Sequence, residues 1–349
     1  MVINILLYVK YLVEHGADVN EKDNYGWTPL LYACNEGNKD MVKCLIELGA
    51  EVNKEDSDGL TPLFNACING NENIVKYLAE HGADVNKKKN DGWTPLLYVC
   101  NEGNKDMVKC LIEQGADVNK EGDDGTTVIM MACGREYEDM VKYLAEHGAD
   151  INKKDKIDGV TPLFNACYDG NENIVKYLVE YGADVNKEDI DGWTPLFNAC
   201  INGYENIVKY LVEHGADVNI KKNDGLTPLF NACSSGNEKV VKYIVEHGAD
   251  VNEKDNYDST PLLYSCNKGS ENIIKILIEQ GADVNKKDNK GITPLFNACE
   301  NGNENIVKYL MEHGADLNKI DDTGRTPLSI AFENGHITIV NYLREHGCH

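Results

Sequence analysis

The sequence predicts an all-α fold, an α-solenoid of stacked helix–loop–helix repeats with β-hairpin fingers. Three observations carry that prediction. A threonine recurs at Thr28, Thr61, Thr94, Thr127, Thr161, Thr194, Thr227, Thr260, Thr293 and Thr326. Every step is 33 residues except Thr127 to Thr161, which is 34. All 9 prolines stand directly after these threonines. A fixed period of this length marks a repeat architecture. The 349 residues therefore measure repeats rather than two or three ordinary domains.

Cutting after each Val-Asn type pair gives one array over 1–349. Residues 1–20 are a half repeat, 21–318 are nine repeats, and 319–349 are a C-terminal capping repeat. The unit 54–86 shows the logic. Thr61 caps a helix, and Pro62 suits its first turn, where the missing N–H has no partner to lose. Leu63, Ala66, Cys67 and Gly70 fall on one stripe of a short helix. Gly70 ends it and Asn71 caps the next. Ile74, Val75 and Leu78 give the second helix a buried stripe, with Tyr77 beside it. Gly82 suits the left-handed position after that helix. Asp58-Gly59 signals a turn in the projecting finger. Such a unit cannot bury its apolar face alone, but stacked copies can.

The chain has 34 Lys plus Arg against 58 Asp plus Glu, for a net charge of −24. That disfavours gripping nucleic-acid phosphates or an anionic membrane surface. The longest apolar stretch, Met1 to Val13, is too short to span a bilayer and lacks the marks of a signal peptide. An intracellular protein, cytoplasmic or nuclear, is the expectation. No small-molecule substrate is indicated, and a monomer is expected.

Twelve cysteines raise the question of disulfides. Nine repeat in register: Cys34, Cys67, Cys100, Cys133, Cys167, Cys200, Cys233, Cys266 and Cys299. Stacked helices stand about 8–10 Å apart, beyond the roughly 4.4–6.8 Å that a disulfide spans. These cysteines, with Cys44 and Cys110, read as small buried packing residues. Cys348 is the one candidate for an exposed thiol. Histidines such as His81 and His214 come one per repeat, before the Gly-Ala-Asp turn, and cannot converge on a metal. No catalytic residues, metal ligands or cofactor site stand apart from the period, so no enzyme is indicated.

The period together with Gly59-Leu60-Thr61-Pro62-Leu63 and Gly82-Ala83-Asp84-Val85-Asn86 closely resembles the ankyrin repeat, over essentially the whole chain. The resemblance implies a crescent that binds a protein partner, with fingers and first helices lining the concave face. The chain departs from the family pattern in places. Phe64, Phe164, Phe197, Phe230, Phe296, Leu31, Leu97 and Leu263 replace the histidine after Thr-Pro-Leu, so apolar packing should replace its hydrogen bonds. The unit 120–152 lacks the proline at Val128 and carries Glu136 where its neighbours have a loop glycine. An insertion follows near Asp155. A weak point is predicted between about 120 and 160, which local amide exchange tests.

Residues that break the period are the candidate partner-binding positions. Trp27, Trp93 and Trp193 sit where finger meets first helix. They either anchor a partner or pack on a neighbouring finger. Tyr32, Tyr98 and Tyr264 replace an asparagine of the first helix. Tyr25 and Tyr257 lie near fingertips, and Arg325 takes the Trp position in the last repeat. Lysines at 87–89, 153, 154, 156, 221–222 and 286–287 put charge on the fingers and read as a solvated face. The last repeat looks like a polar cap, with Ser329, Thr338, Asn341 and Arg344. The N-terminus does not. Either Met1 to Tyr8 folds back over Val9 and Leu12, or the array is the interaction arm of a longer protein.

Overall fold

The computed structural model describes residues 2–347, with side chains from residue 5 onward. Among the described residues the chain forms twenty-one helices and no strand. The first five set the pattern: α1 (Val2–Glu14), α2 (Pro29–Asn35), α3 (Lys39–Glu47), α4 (Pro62–Ile68) and α5 (Glu72–Glu80). A seven- or eight-residue first helix alternates with a nine-residue second helix from α2 onward. The chain divides into two compact units, Met1–Asn165 and Ala166–His349.

Each first helix starts where the Thr-Pro pair places it. Thr61 is extended, with φ −89° and ψ 163°, and its hydroxyl accepts the N–H of Phe64 at 3.2 Å. Pro62 occupies the first turn at no cost in hydrogen bonds. Thr28, Thr94 and Thr260 cap in the same way. Thr194 and Thr293 do not; Phe197 and Phe296 donate their N–H to the threonine carbonyls at 3.0 Å instead. That tightens the first turn and leaves the Thr194 and Thr293 hydroxyls buried without a partner.

Packing supplies most of the stability of helices this short. Within the first unit α2 packs on both α3 and α4, and α4 packs on α5. Leu63, Ala66 and Cys67 of α4 and Ile74, Val75 and Leu78 of α5 are buried. The residues in the place of the family histidine pack as expected: Phe64, Phe197, Phe230, Phe296, Leu31, Leu97 and Leu263 are all buried. Phe164 is half-buried.

The fingers reverse the chain without forming a ladder. A backbone bond closes a five-residue turn, as where Asp56 N–H donates to the Leu60 carbonyl at 3.0 Å; the insertion lengthens one of these turns to six residues, Asp155 N–H to the Val160 carbonyl at 3.0 Å. The Asp56 carboxylate then accepts the N–H groups of Asp58 and Leu60, both at 2.9 Å. With those donors taken by a side chain, no second pair of ladder bonds forms, and the expected β-hairpin fingers carry no strand. Several neighbouring fingers within a unit join by one backbone bond, such as Asn90 N–H to the Asp58 carbonyl at 3.1 Å, and Ser57 Oγ instead donates to the Tyr25 carbonyl at 3.0 Å. Gly59, at φ 80°, is needed here: a Cβ would stand 2.8 Å from the Asn90 nitrogen.

An asparagine ladder ties the repeats together. Asn53 Nδ2 donates to the Gly82 carbonyl at 2.9 Å, and Asp84 N–H donates to Asn53 Oδ1 at 2.8 Å. Asn86 and Asn119 repeat this in the first unit, and Asn186, Asn219, Asn252 and Asn285 in the second. The asparagine of Val-Asn is therefore a bridge, a role its place at the end of each unit marks but does not explain.

Residues 2–8 continue upward as the start of α1. They do not fold back over Val9 and Leu12, because unbroken helical bonding serves an apolar segment without a turn residue. The repeat 120–152 keeps both helices, Val128–Gly134 and Glu138–Glu146. Glu136 there is forced to φ 60°, the left-handed conformation that its neighbours give to glycine. Asp258 takes the glycine place of a finger in the same way, at φ 62°.

Candidate functional site

The fingers and the exposed faces of the first helices form the candidate surface, and each unit has its own. In the first unit, the chain direction reverses at Tyr25, whose side chain is 73% exposed. Asp23, at the start of this finger, accepts the N–H groups of Tyr25 and Trp27 at 2.9 and 2.8 Å. Its other oxygen accepts the Tyr32 hydroxyl at 2.6 Å. The half-buried Trp27 ring lies 4.9 Å from the Tyr32 ring, tilted by 55°. The phenol's hydrogen bond holds the Asp23 carboxyl below its ordinary range and pushes the Tyr32 phenol up. Asp23 thereby holds the Trp27 backbone and the Tyr32 ring from one short finger.

The other aromatics in this unit are packed more closely. Trp93 is half-buried, its N–H on Asp91 at 3.2 Å. Asp91 also takes Lys89 as an ion-pair partner. Tyr98 is half-buried against Phe64, with ring centres 5.6 Å apart.

In the second unit, Trp193 lies between Phe197, at 5.6 Å, and the Lys222 ammonium of the next finger, 5.0 Å above the ring. Here a tryptophan does pack on a neighbouring finger. Tyr257 is 65% exposed at a fingertip. Tyr264 stands edge-on to Phe230 at 6.3 Å and donates to Ser234 Oγ at 3.3 Å. Arg325 is held by its own repeat: Nε and Nη2 both reach Asp321 Oδ2 at 2.8 Å. Burial works against the Asp321 charge, yet the Arg325 and Thr323 N–H groups and the Arg325 guanidinium hold its pKa at about 2. A partner would have to compete for that guanidinium.

The candidate residues thus do not gather at one place. Trp27 and Tyr32 form one ring pair, and Tyr25 stands at the fingertip with its backbone N–H on the same Asp23 carboxylate. Trp93 and Tyr98 in the first unit, and Trp193, Tyr257, Tyr264 and Arg325 in the second, have separate local surroundings. Sequence reasoning passed over two more exposed apolar residues of the second unit, Tyr168 and Ile201, 63% and 39% exposed. They share one register position of successive first helices, where most repeats carry Asn, Glu, Gly or Ser. That contrast was the available signal.

Most of the clustered finger lysines are engaged. Lys87 meets Glu55 at 2.8 Å and Lys88 meets Asp123 at 2.8 Å. Lys153 and Lys156 share Glu121 at 2.5 and 2.9 Å, and those hydrogen bonds lower the Glu121 pKa to about 2. Lys221 meets Glu253 at 2.8 Å. Paired in this way, the clusters at Lys87 to Lys89, Lys153 with Lys156, and Lys221 with Lys222 offer phosphate little unneutralised charge.

The cysteines in register are buried free thiols. Burial pushes Cys34, Cys100 and Cys233 up to about 12, so the nucleophilic thiolate is disfavoured at neutral pH. Cys348 lies outside the described residues. The histidines that precede the glycine turn set Nδ1 to the carbonyl of a tyrosine one turn back, as His81 does to Tyr77 at 2.7 Å. Their rings lie against those tyrosines, at 4.0 Å for His81. His336 instead sets Nε2 to the Glu300 carbonyl at 3.0 Å. Among the described residues no three His, Cys, Asp or Glu side chains are grouped to hold a metal, and no helix is long and apolar enough to cross a membrane.

Two curated relatives share a short segment with this chain: protein phosphatase 1 regulatory subunit 27 of Homo sapiens and of Mus musculus. Each is 50% identical over 34 residues, which is 10% of this chain and 22% of the relative. The chain thus matches about a fifth of their length, and the shared segment is about one repeat long. A family model described as ankyrin repeats (3 copies) matches residues 4–89, 82–155, 153–222, 219–288 and 281–349. With that model covering the chain from residue 4 to its end, and the same helix pair returning at every period, this chain belongs to the ankyrin-repeat family.

Proposed function

We propose that the chain is a non-catalytic scaffold or adaptor that binds a protein partner on the face built by its fingers and first helices. Membership of a family whose repeats generally mediate protein–protein interaction supports this reading. The observation that supports this reading at one surface is the Trp27–Tyr32 ring pair held by Asp23, with Tyr25 exposed at the same finger. Rigid aromatics with a polar handle are favoured anchors, because little side-chain entropy is lost on binding. Trp93 and Trp193 are secondary anchors in the same register. The acidic surface favours a neutral or basic partner. The short match to a phosphatase regulatory subunit is repeat-sized and transfers no partner.

The test compares partner capture by the full chain and by the variant Trp27→Ala/Trp93→Ala/Trp193→Ala, in parallel cross-linking pull-downs. The expected result is at least a tenfold loss of the captured species with the helical circular dichroism unchanged. Equal capture by a folded triple variant overturns the assignment of the anchors. Tyr32→Phe separates ring from hydroxyl: it removes the bond to Asp23 and should weaken capture only severalfold.

A further inference from the structure

One register position runs along the exposed faces of successive first helices in the second unit. It holds Tyr168, Ile201, Ser234, Asn267, Glu300 and Glu333 in chain order, all exposed. Contacts between neighbouring helices make these positions one row. Asn202 Nδ2 donates to the Tyr168 carbonyl at 3.4 Å, and Tyr264 Oη donates to Ser234 Oγ at 3.3 Å. Asn301 Nδ2 donates to the Asn267 carbonyl at 3.0 Å, and His336 Nε2 lies 3.0 Å from the Glu300 carbonyl. The helices Pro195–Ile201 and Pro228–Ser235 pack directly on each other.

The row changes character along its length. Tyr168 and Ile201 are 63% and 39% exposed, and Ile190, in the finger of the same repeat as Ile201, is 62% exposed. Ser234 and Asn267 are polar and neutral. Lys268, beside Asn267, is turned onto the Tyr264 ring at 5.8 Å. Glu300 and Glu333 end the row in negative charge. Arg325 does not cancel it. The Asp321 hydrogen bond raises the Arg325 pKa, and the charges of Glu333 and Glu300 raise it further, so three carboxylates share one guanidinium. The first helices from Pro228 to Glu300 already have a first helix packed on each side. More stacked repeats at an end of the array would therefore leave this row uncovered.

We infer that the row reads an extended polypeptide segment with bulky apolar residues at one end and Arg or Lys about nine residues away. This rests on the reading that fingers and first helices bind a polypeptide, and adds the partner's polarity. Stacked helices advance about 8–10 Å per repeat. A polyproline II segment turns once in three residues and rises about 3.1 Å per residue. One turn thus matches one repeat, every third side chain faces the row, and the three repeats from Ile201 to Glu300 take about nine residues. The apolar end covers Tyr168 and Ile201. The cations meet Glu300 and Glu333, where complementary charge fixes orientation.

The probe is a synthetic sixteen-residue peptide with leucine at its first and fourth positions and arginine at its thirteenth and sixteenth. Serine, glutamine and proline fill the rest. This peptide and its reversed order are each titrated against the full chain by fluorescence anisotropy. One order should bind saturably below about 1 mM. Glutamate in place of both arginines should weaken that peptide at least tenfold at low ionic strength. Glu300→Gln/Glu333→Gln, at exposed positions, should weaken the arginine peptide severalfold and leave a glutamine-for-arginine peptide unchanged. Photo-leucine at the apolar end should cross-link to segments holding Tyr168 or Ile201, and a photoreactive group beside the last arginine to those holding Glu300 or Glu333. No saturable binding of either order, equal binding of arginine and glutamate peptides, or cross-links in the opposite sense overturns the inference. Such a failure alongside loss of capture by the tryptophan variant leaves the scaffold reading standing. Polar binding of the peptide with capture by that variant unchanged supports the inference and overturns only the tryptophan anchors.

Discussion

The half repeat at residues 1–20 and the repeat at 54–86 carry nearly the same second-helix stripe, yet they bury it differently. Val9 and Leu12 of α1 stand where Val75 and Leu78 of α5 stand. In α5 both are fully buried; in α1 Leu12 is 39% exposed and Val9 half-buried. Apolar Ile5, Leu7, Tyr8 and Tyr11 of α1 are exposed as well. The second helix of a repeat thus owes its burial to the first helix of the same repeat, and a stripe of good periodicity does not by itself make a core. The asparagine bridge behaves otherwise. Asn20 still donates to the Gly49 carbonyl at 3.3 Å and accepts the Glu51 N–H at 2.8 Å. The loop connection therefore forms whether or not the first helix is present.

The largest effect that could break this comparison comes from the stripe itself. Leu78→Ala should cost about 3 kcal/mol, since it leaves a cavity in a packed site. Leu12→Ala should cost less than about 1 kcal/mol, because much of its surface is already in water. Urea unfolding followed by circular dichroism measures both, and equal costs would mean that α1 is packed after all.

Next comes the bridge. Asn53→Ala and Asn20→Ala should each cost about 1 kcal/mol, for two hydrogen bonds at exposed sites. A much smaller cost at Asn20 would show that the bridge depends on the first helix.

A smaller effect, of opposite sign, concerns a repeat that buries its stripe but strains its turn. Glu136→Gly should stabilise by about 0.5–1 kcal/mol, as glycine accepts φ 60° freely and only part of that gain is lost to unfolded-state entropy. Amide exchange over 120–160 should slow in the same variant, which also tests the predicted weak point there.

The smallest effect is electrostatic. Lys153 and Lys156 lower the Glu121 pKa to about 2, from an ordinary 4.5. A carboxyl with a lowered folded pKa stabilises above its unfolded value, so this contribution is complete above about pH 5. It is lost as the pH falls towards 2. Glu121→Gln should flatten the acid limb of stability slightly, and 1 M salt should mask the difference, because the ion pairs are solvent-accessible.

Much of this molecule was legible because each repeat restates the same local rules. Thr61-Pro62 fixes a helix start by its own capping and dihedral angles. The cysteine register and the Phe64-type positions announce burial by period alone. The site was less legible. Trp27 and Trp193 occupy one register position, yet the first meets Tyr32 and the second lies beneath Lys222. Which neighbour a ring meets depends on the residue one finger away, at a distance no local pattern encodes. Arg325 looked free for a partner and is instead bound by Asp321, four residues earlier in its own finger.

The sequence by itself determined the period, the helix starts, the buried stripe and the absence of geometry for disulfides between neighbouring repeats. These follow from capping, glycine placement and 3.6-residue periodicity, which act within one repeat. Only the tertiary structure decided that the fingers close through aspartate side chains without a ladder, that Val-Asn bridges successive repeats, and that the first stripe lies open as a groove. Those outcomes depend on what the next repeat brings within hydrogen-bonding or van der Waals distance, and burial is a property of neighbours.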